Sequence, residues 1–284
     1  MGQRGESQRR LPVRLHEDPR QGQNQHHADG VGPGDPDLLT VKAQRIIATA
    51  DAILYADSLI PDRILQHTRP EAEIIKTSHQ TLEQIISIIL DRVRSGAIVA
   101  RLHSGDLTLY SAITEQIHAL RAVGITVELV PGISAFQAAA AKLQVELTVP
   151  EIVQTIILTR PTGRASAVPA AEDLASLAAH RASLCLYLAA RHVETAQTKL
   201  LQHYPPDTLV AICFRIGWED EQIWVVPLTE MAAVTSSQNL IRTTMYIISP
   251  ALAQIYDADD PRKFPLTRSQ LYHADYDRLF RPRS

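Results

Sequence analysis

Three short turns concentrate the residues that could do chemistry. The first is Gly30-Val31-Gly32-Pro33-Gly34-Asp35-Pro36. Glycines ahead of a helix let a ligand approach backbone amides at the positive helix end. Two nucleotide-binding loops are excluded by the residues themselves. No Gly-Lys-Ser/Thr follows, and Asp35 stands where the third glycine of a dinucleotide loop belongs. Pro33 lacks the N–H that a phosphate would want. A nicotinamide-dependent oxidoreductase is therefore disfavoured. On spacing alone, a structural turn and a ligand loop are equal readings of this segment.

The second turn is Arg101-Leu102-His103-Ser104-Gly105-Asp106, and the third is Val130-Pro131-Gly132-Ile133-Ser134-Ala135-Phe136. Each ends a predicted strand. Ligands of open α/β sheets bind beyond the carboxyl ends of strands. Asp106 and Ser134 also have a bland reading, as N-caps of the helices that follow. Turns clustered at one sheet edge favour a shared small-molecule site more than any one turn does.

The elements that position these turns follow from hydrophobic periodicity. Leu38, Leu39, Val41, Ile46 and Ile47 have helical spacing. Strands are predicted at 52–56, 73–76, 97–102 and 125–130. Helices are predicted at 81–96, capped by Thr81 and stopped by Gly96, at 108–124, and at 135–143. The pattern restarts after Pro150, with strands at 155–160, 183–190, 208–214, 222–228 and 243–250 and helices at 170–180 and 192–204. Alternating strands and helices predict an α/β fold with largely parallel sheets. The restart predicts two α/β domains, 30–148 and 149–252, with the ligand cleft between them. Residues 1–29 read as a polar tail, disordered or aberrant, and 253–284 as a charged and aromatic extension.

Composition narrows the function classes. The chain has 284 residues and a formal net charge of −3, so no global basic field draws it to nucleic acid. Cys185 and Cys213 lie in apolar runs and read as core thiols in a reducing compartment. No Cys/His spacing predicts a metal site. His26 and His27 are expected to be solvated. No apolar run is long enough for a membrane span, and no secretory signal is evident. A soluble, cytoplasmic protein is expected.

The segments GVGPGDPDLLTVKAQR, YADSLIP, RLHSGD, LVPGISAFQAAAA and TIILTR, in this order and spacing, resemble the successive signatures of the tetrapyrrole (corrin/porphyrin) methyltransferase family. The likeness runs from Gly30 to near Phe280 and includes RSQLYHADYDRLF. It is greatest for the branch that methylates precorrin-4, or its cobalt form, at ring carbon 11. The resemblance implies S-adenosylmethionine as cofactor, a tetrapyrrole of cobalamin biosynthesis as substrate, and a homodimer. Carried over by position, it implies cofactor contacts at Pro33, Ser104, Gly105, Asp106, Leu109, Ser134 and Ala135. In the second half it implies contacts at Leu188, Ile216, Thr243 and Thr244.

Such chemistry asks the protein to align carbon, methyl and sulfur and to exclude water. A base is optional; Asp106 and Asp57 are the candidate carboxylates, each also readable as a binding or structural group. Arginine suits a polycarboxylate substrate. Arg101, Arg160, Arg215 and Arg242 are the candidate ligands, with Arg164 and Arg191 also near strand ends. Trp218 could pack on the macrocycle or in the core.

Three departures from the family pattern stand out. The strand expected before the glycine loop reads NQHHAD, too polar for a central parallel strand. It is expected to weaken the N-terminal sheet. In the usual GDPSLYG, Leu107 replaces proline and Ser111 replaces the last glycine, which is expected to loosen the turn. Two alternatives stay open: another tetrapyrrole methyltransferase, acting on uroporphyrinogen or a different precorrin position, and a cofactor-binding homologue that is catalytically impaired.

Overall fold

The computed structural model describes residues 26–163 and 167–253. The first half is built on β1 (His26–Gly30), β2 (Ala52–Tyr55), β3 (Glu73–Lys76), β4 (Val99–His103) and β5 (Val127–Val130). They form one sheet in the order β3-β2-β4-β1-β5, every neighbour parallel. Four helices connect them: α1 (Val41–Thr49), α2 (Leu82–Arg94), α3 (Ile113–Ala122) and α4 (Ala135–Leu143). Helix α2 starts at a capping box, in which Thr81 and Gln84 satisfy each other's backbone N–H groups. Its Ile85, Ile89 and Val93 pack on Leu54 and Val99 of the sheet.

The second half holds β6 (Ile156–Thr159), β7 (Ser183–Leu186), β8 (Leu209–Phe214), β9 (Gln222–Pro227) and β10 (Thr244–Ile248). Their order is β6-β7-β10-β8-β9. Only β6 and β7 run parallel; the other pairs are antiparallel. The expectation of largely parallel sheets thus holds for the first sheet and is corrected for the second. Helices α5 (Leu174–Ala178), α6 (Val193–Leu200) and α7 (Met231–Ser237) pack over Leu184, Leu186, Ile212 and Tyr246. Helix α7 was not predicted, because MAAVTSS is too short and polar to show a stripe. Cys185 and Cys213 are buried in this sheet, each thiol pushed up to about 12 by burial.

The helix predicted at 108–124 begins only at Ile113. Tyr110 and Ala112 both have positive φ, 57° and 55°, and break the preceding turn. The 38–47 pattern likewise yields α1 only from Val41, where the Thr40 hydroxyl accepts the N–H of Ala43 at 3.1 Å.

The larger correction concerns the N-terminus. Residues 26–29 are not part of a tail; with Gly30 they form the strand between β4 and β5. His26 and His27 are buried, not solvated. A ladder needs only backbone N–H and C=O groups, so neighbours on both sides can hold a polar strand in place. Its side chains carry the cost. In parallel register, His26 shares a face with Val99, Arg101 and His103, while His27 and Asp29 share the opposite face with Ala100 and Leu102. His27 reaches Glu128 at 3.0 Å. Both Asp29 oxygens, His26 Nδ1, Arg101 Nε and His103 Nε2 are buried without a hydrogen-bond partner among the described residues.

A pH dependence follows. Burial, helped by neighbouring His27 and Arg101, pushes His26 down to about 4. Burial, with Arg101 and His26 nearby, pushes His103 down to about 3. Between pH 6.5 and 4 the unfolded chain therefore takes up protons that the folded chain refuses. Stability must fall as pH falls, by up to about 1.4 kcal/mol per pH unit for each histidine. Asp29, whose carboxyl is raised by burial, runs the other way and offsets part of this slope. Calorimetry at pH 6.5, 5.5 and 4.5 should show a falling Tm, and His26→Val should flatten the trend. An unchanged slope in the variant would mean that His26 is not held neutral in the fold.

Candidate active site

The three turns meet at the carboxyl end of the first sheet because glycine lets them. A Cβ on Gly132 would lie 2.5 Å from the Gly30 carbonyl carbon and closer still to the Gly105 oxygen. A Cβ on Gly30 would lie 2.5 Å from Gly132 N. Gly32 and Gly105 exchange backbone hydrogen bonds, at 3.2 and 2.7 Å, and Val31 N–H donates to His103 O at 2.9 Å. Asp106 fastens the third turn: its Oδ2 accepts the N–H of Gly132 at 3.0 Å. Its Oδ1 accepts the N–H of Thr108 at 2.9 Å and also the Thr108 hydroxyl. Asp106 is therefore a clamp between turns and not the N-cap of α3.

The two departures in this turn answer each other. Leu107 is fully buried, and the Ser111 hydroxyl donates to the Leu107 carbonyl. The side chain that replaces glycine ties the turn that proline no longer stiffens, so the expected loosening is compensated.

Loops of the second sheet close over this edge. Trp218 Nε1 donates to Pro33 O at 3.2 Å. Gly34 and Gly217 are the close-contact points. A Cβ on Gly34 would lie 2.6 Å from the Trp218 ring, and one on Gly217 would lie 2.7 Å from Asp35 N. Ile216 is buried in a cluster with Ile133, Ala135 and Phe136. The Ser134 and Tyr187 hydroxyls are 2.6 Å apart. Leu188, Arg215 and Thr243 all have left-handed backbone, φ 55°, 47° and 54°, and Arg215 N–H donates to Thr243 O at 2.9 Å. Strained residues concentrated at strand ends on one side of a cleft mark a place where backbone shape matters more than local comfort. Ser104 is exposed, Leu188 is 65% exposed, and a Cβ on Gly105 would meet nothing nearer than 3.8 Å. This edge thus combines exposed small and apolar side chains with open space beside Gly105.

A family model, Tetrapyrrole (Corrin/Porphyrin) Methylases, matches residues 30–232. The chain belongs to the tetrapyrrole methylase family. It is 41% identical to the precorrin-4 C(11)-methyltransferase of Pseudomonas aeruginosa, over 89% of this chain and 97% of that one. It is 36% identical to the cobalt-precorrin-4 C(11)-methyltransferase of Methanocaldococcus jannaschii, over 89% of this chain and 94% of that one. The X-ray structure of a cobalt precorrin-4 methyltransferase superposes with a TM-score of 0.77 at 36% identity, covering 80% of this chain and 95% of that chain.

Of the cofactor residues expected from the sequence, Pro33, Ser104, Gly105, Asp106, Leu109, Ser134 and Ala135 lie in the segments that follow β1, β4 and β5, and Leu188, Ile216, Thr243 and Thr244 stand at strand ends of the second sheet. Ser134 is buried and starts α4 in a capping box with Gln137. Thr244 is buried at the start of β10, its hydroxyl donating to Arg242 O at 3.1 Å.

The arginines do not act as a group. Arg101 is buried in mid-sheet, its Nη1 donating to Thr77 at 2.7 Å, and burial pushes it down to about 10. That position takes it out of the cleft, a correction to its expected role as a substrate ligand. Arg215 pairs with Asp220 and stacks on Trp218 and Phe214, 4.9 and 5.1 Å from the ring centroids. Its charge is already committed. Trp218 accordingly joins the Pro33 turn of the first sheet to the Arg215 loop of the second. Arg191 and Arg242 are exposed. Arg160 follows β6 and borders a cavity of about 220 Å³ with Thr162, Glu172, His192 and Lys199. Arg164 and the RSQLYHADYDRLF segment lie outside the described residues. Asp57 accepts the Ser78 hydroxyl at 2.5 Å, which holds its carboxyl below the usual range.

Two residues near the site were missed. Tyr187 follows β7 in an apolar run and looks like core, and Tyr110 looks like one face of a helix. Among the described residues, no cluster of three or more His, Cys, Asp or Glu could hold a metal, and no helix is long and apolar enough to cross a membrane.

Proposed function

We propose that this chain transfers a methyl group from S-adenosylmethionine to ring carbon 11 of precorrin-4 or cobalt-precorrin-4. The observation that carries the reading is near end-to-end similarity to a precorrin-4 C(11)-methyltransferase, 41% identical over 253 residues. When bound, the cofactor supplies an electrophilic methyl on its sulfonium. The chain's own residues supply alignment. The glycine-packed turns at Gly30, Gly105 and Gly132 fix one wall, and the loops at Leu188, Ile216 and Thr243 form the other. Alignment and exclusion of water are what such a transfer needs from a protein. Asp106 is bound to Gly132 N–H and Thr108, so its part is to shape the site. Asp57, held ionised by Ser78, is a poor base. Arg160 is the arginine best placed to meet a substrate carboxylate. We place the protein in the cytoplasm as a soluble homodimer, in line with its family.

The unpartnered polar groups of β1 favour one second reading, a homologue that binds cofactor with little turnover. Titration calorimetry with S-adenosylhomocysteine, followed by a methylation assay, separates the two. Saturable one-to-one binding is expected. Asp106→Ala frees the Gly132 and Thr108 amides and should weaken binding about 10-fold or more. Binding without turnover would favour the second reading. No binding by folded protein would remove both.

A further inference from the structure

We propose that Tyr110 and Tyr187 form an aromatic wall on which the flat, polycarboxylated macrocycle rests. The proposal deepens the methyltransferase reading and rests on it. Tyr110 directly follows Leu109 in the turn that clamps the first-sheet side of the cleft. Its ring meets that of Tyr187, at the end of β7 on the other sheet, with centroids 5.0 Å apart and a tilt of 51°. The Tyr187 hydroxyl is fixed in turn by Ser134, 2.6 Å away. The pair therefore bridges the two halves at the site.

Three features separate Tyr110 from an ordinary packing residue. It is 42% exposed, so burial does not explain a large ring there. Its backbone is left-handed, φ 57°, a region that bulky residues avoid. Strain of this kind persists where the surrounding structure imposes it, and it gathers at ligand clamps. The third feature is electrostatic: burial raises the Tyr110 hydroxyl, Arg160 opposes the rise and Glu172 adds to it, and these two charged residues both border one cavity. Arg160 directly follows β6, whose Thr159 carbonyl accepts the Tyr187 N–H at 2.8 Å, so it flanks the same pair. A π-surface beside a guanidinium matches a ligand that is flat in the middle and carboxylated at its rim. Tyr110 would touch the ring system, and Tyr187 is the positioning residue that holds Tyr110 in place.

Uroporphyrin III, a stable flat octacarboxylate, serves as the probe, read by the shift of its Soret band. S-adenosylhomocysteine is titrated in parallel. The wild-type protein should shift the band. Tyr110→Ala, and Tyr110→Leu as a bulk-preserving control, should weaken porphyrin binding about 5- to 10-fold and lose the spectral shift. Tyr110→Phe should retain both. Tyr187→Phe keeps the ring but frees it from Ser134, and should fall between. S-adenosylhomocysteine affinity should stay within about twofold in the three Tyr110 variants. Wild-type porphyrin affinity in Tyr110→Ala and Tyr110→Leu would overturn the wall. So would a wild-type protein that binds S-adenosylhomocysteine yet leaves the Soret band unmoved. Failure to bind S-adenosylhomocysteine would instead sink the methyltransferase reading, because the porphyrin titration is read independently.

Discussion

Replacing Asp29 by valine should raise the melting temperature by about 5 °C or more. Asp29 is fully buried in β1, an interior strand of the first sheet, and neither carboxylate oxygen has a hydrogen-bond partner among the described residues. Valine has a similar volume, a strong preference for strands and no polar atom to strand. It would face Ala100 and Leu102 on the side packed by α1, among Val31, Ile47 and Val130. Removing an unsatisfied buried carboxyl should stabilise by about 2–3 kcal/mol. The sign of the pH effect is fixed. Burial raises the folded pKa of Asp29 above its unfolded value. The penalty is therefore smallest below the unfolded value, grows as pH rises, and is complete above the folded pKa. The gain from Asp29→Val should be larger at pH 8 than at pH 5. Scanning calorimetry at both values tests this, with exposed Asp91→Ala on α2 as a control expected to move little. An equal or lower Tm for Asp29→Val would mean that the strand does not bury this side chain.

That strand marks the limit of what periodicity reveals. Helix α2 and strands β2 and β4 were legible because their apolar residues repeat at the spacing of the element. Strand β1 was not, because its place is set by backbone pairing to β4 and β5, which polarity does not encode. The start of α3 was hidden for a related reason: left-handed Tyr110 and Ala112 look like any helical residues in sequence. Antiparallel pairing of β10 with β7 and β8 depends on connections across long stretches of chain, and β8 and β9 pair as a hairpin with no helix between them, so alternating elements misled. The site divides the same way. The three glycine turns and the Ser134 cap are local and were found. The Asp106–Gly132 bond spans 26 residues, and the Ser134–Tyr187 contact spans 53. Neither leaves a short-range signature. Arg101 was misplaced because nothing in VARLH tells which strand residues face a helix layer and which reach the cleft.

Gly132→Ala should remove S-adenosylhomocysteine binding almost entirely, by about 100-fold or more. The reason is steric. The added methyl would sit 2.5 Å from the Gly30 carbonyl carbon and within reach of two carbonyl oxygens, those of Gly30 and Gly105. All of these are backbone atoms, so no side chain can swing away. Relief requires the third turn to move from the other two. That motion breaks the Gly132 N–H bond to Asp106, which is 3.0 Å long. It also carries Ser134 and the start of α4 away from Tyr187. One methyl thus disconnects the first-sheet wall from the second, and overpacking of this kind costs about 1–3 kcal/mol of stability besides. Gly163→Ala is the matched control, since its Cβ would meet nothing nearer than His192 Nε2 at 3.8 Å. It should bind and melt like the parent. Because the clash lies between turns and not inside a core, Gly132→Ala should lose far more affinity than its drop in Tm accounts for. Titration calorimetry and thermal melts on the same preparations give both numbers. A variant that melts lower but binds normally would show that the glycine contact serves folding alone.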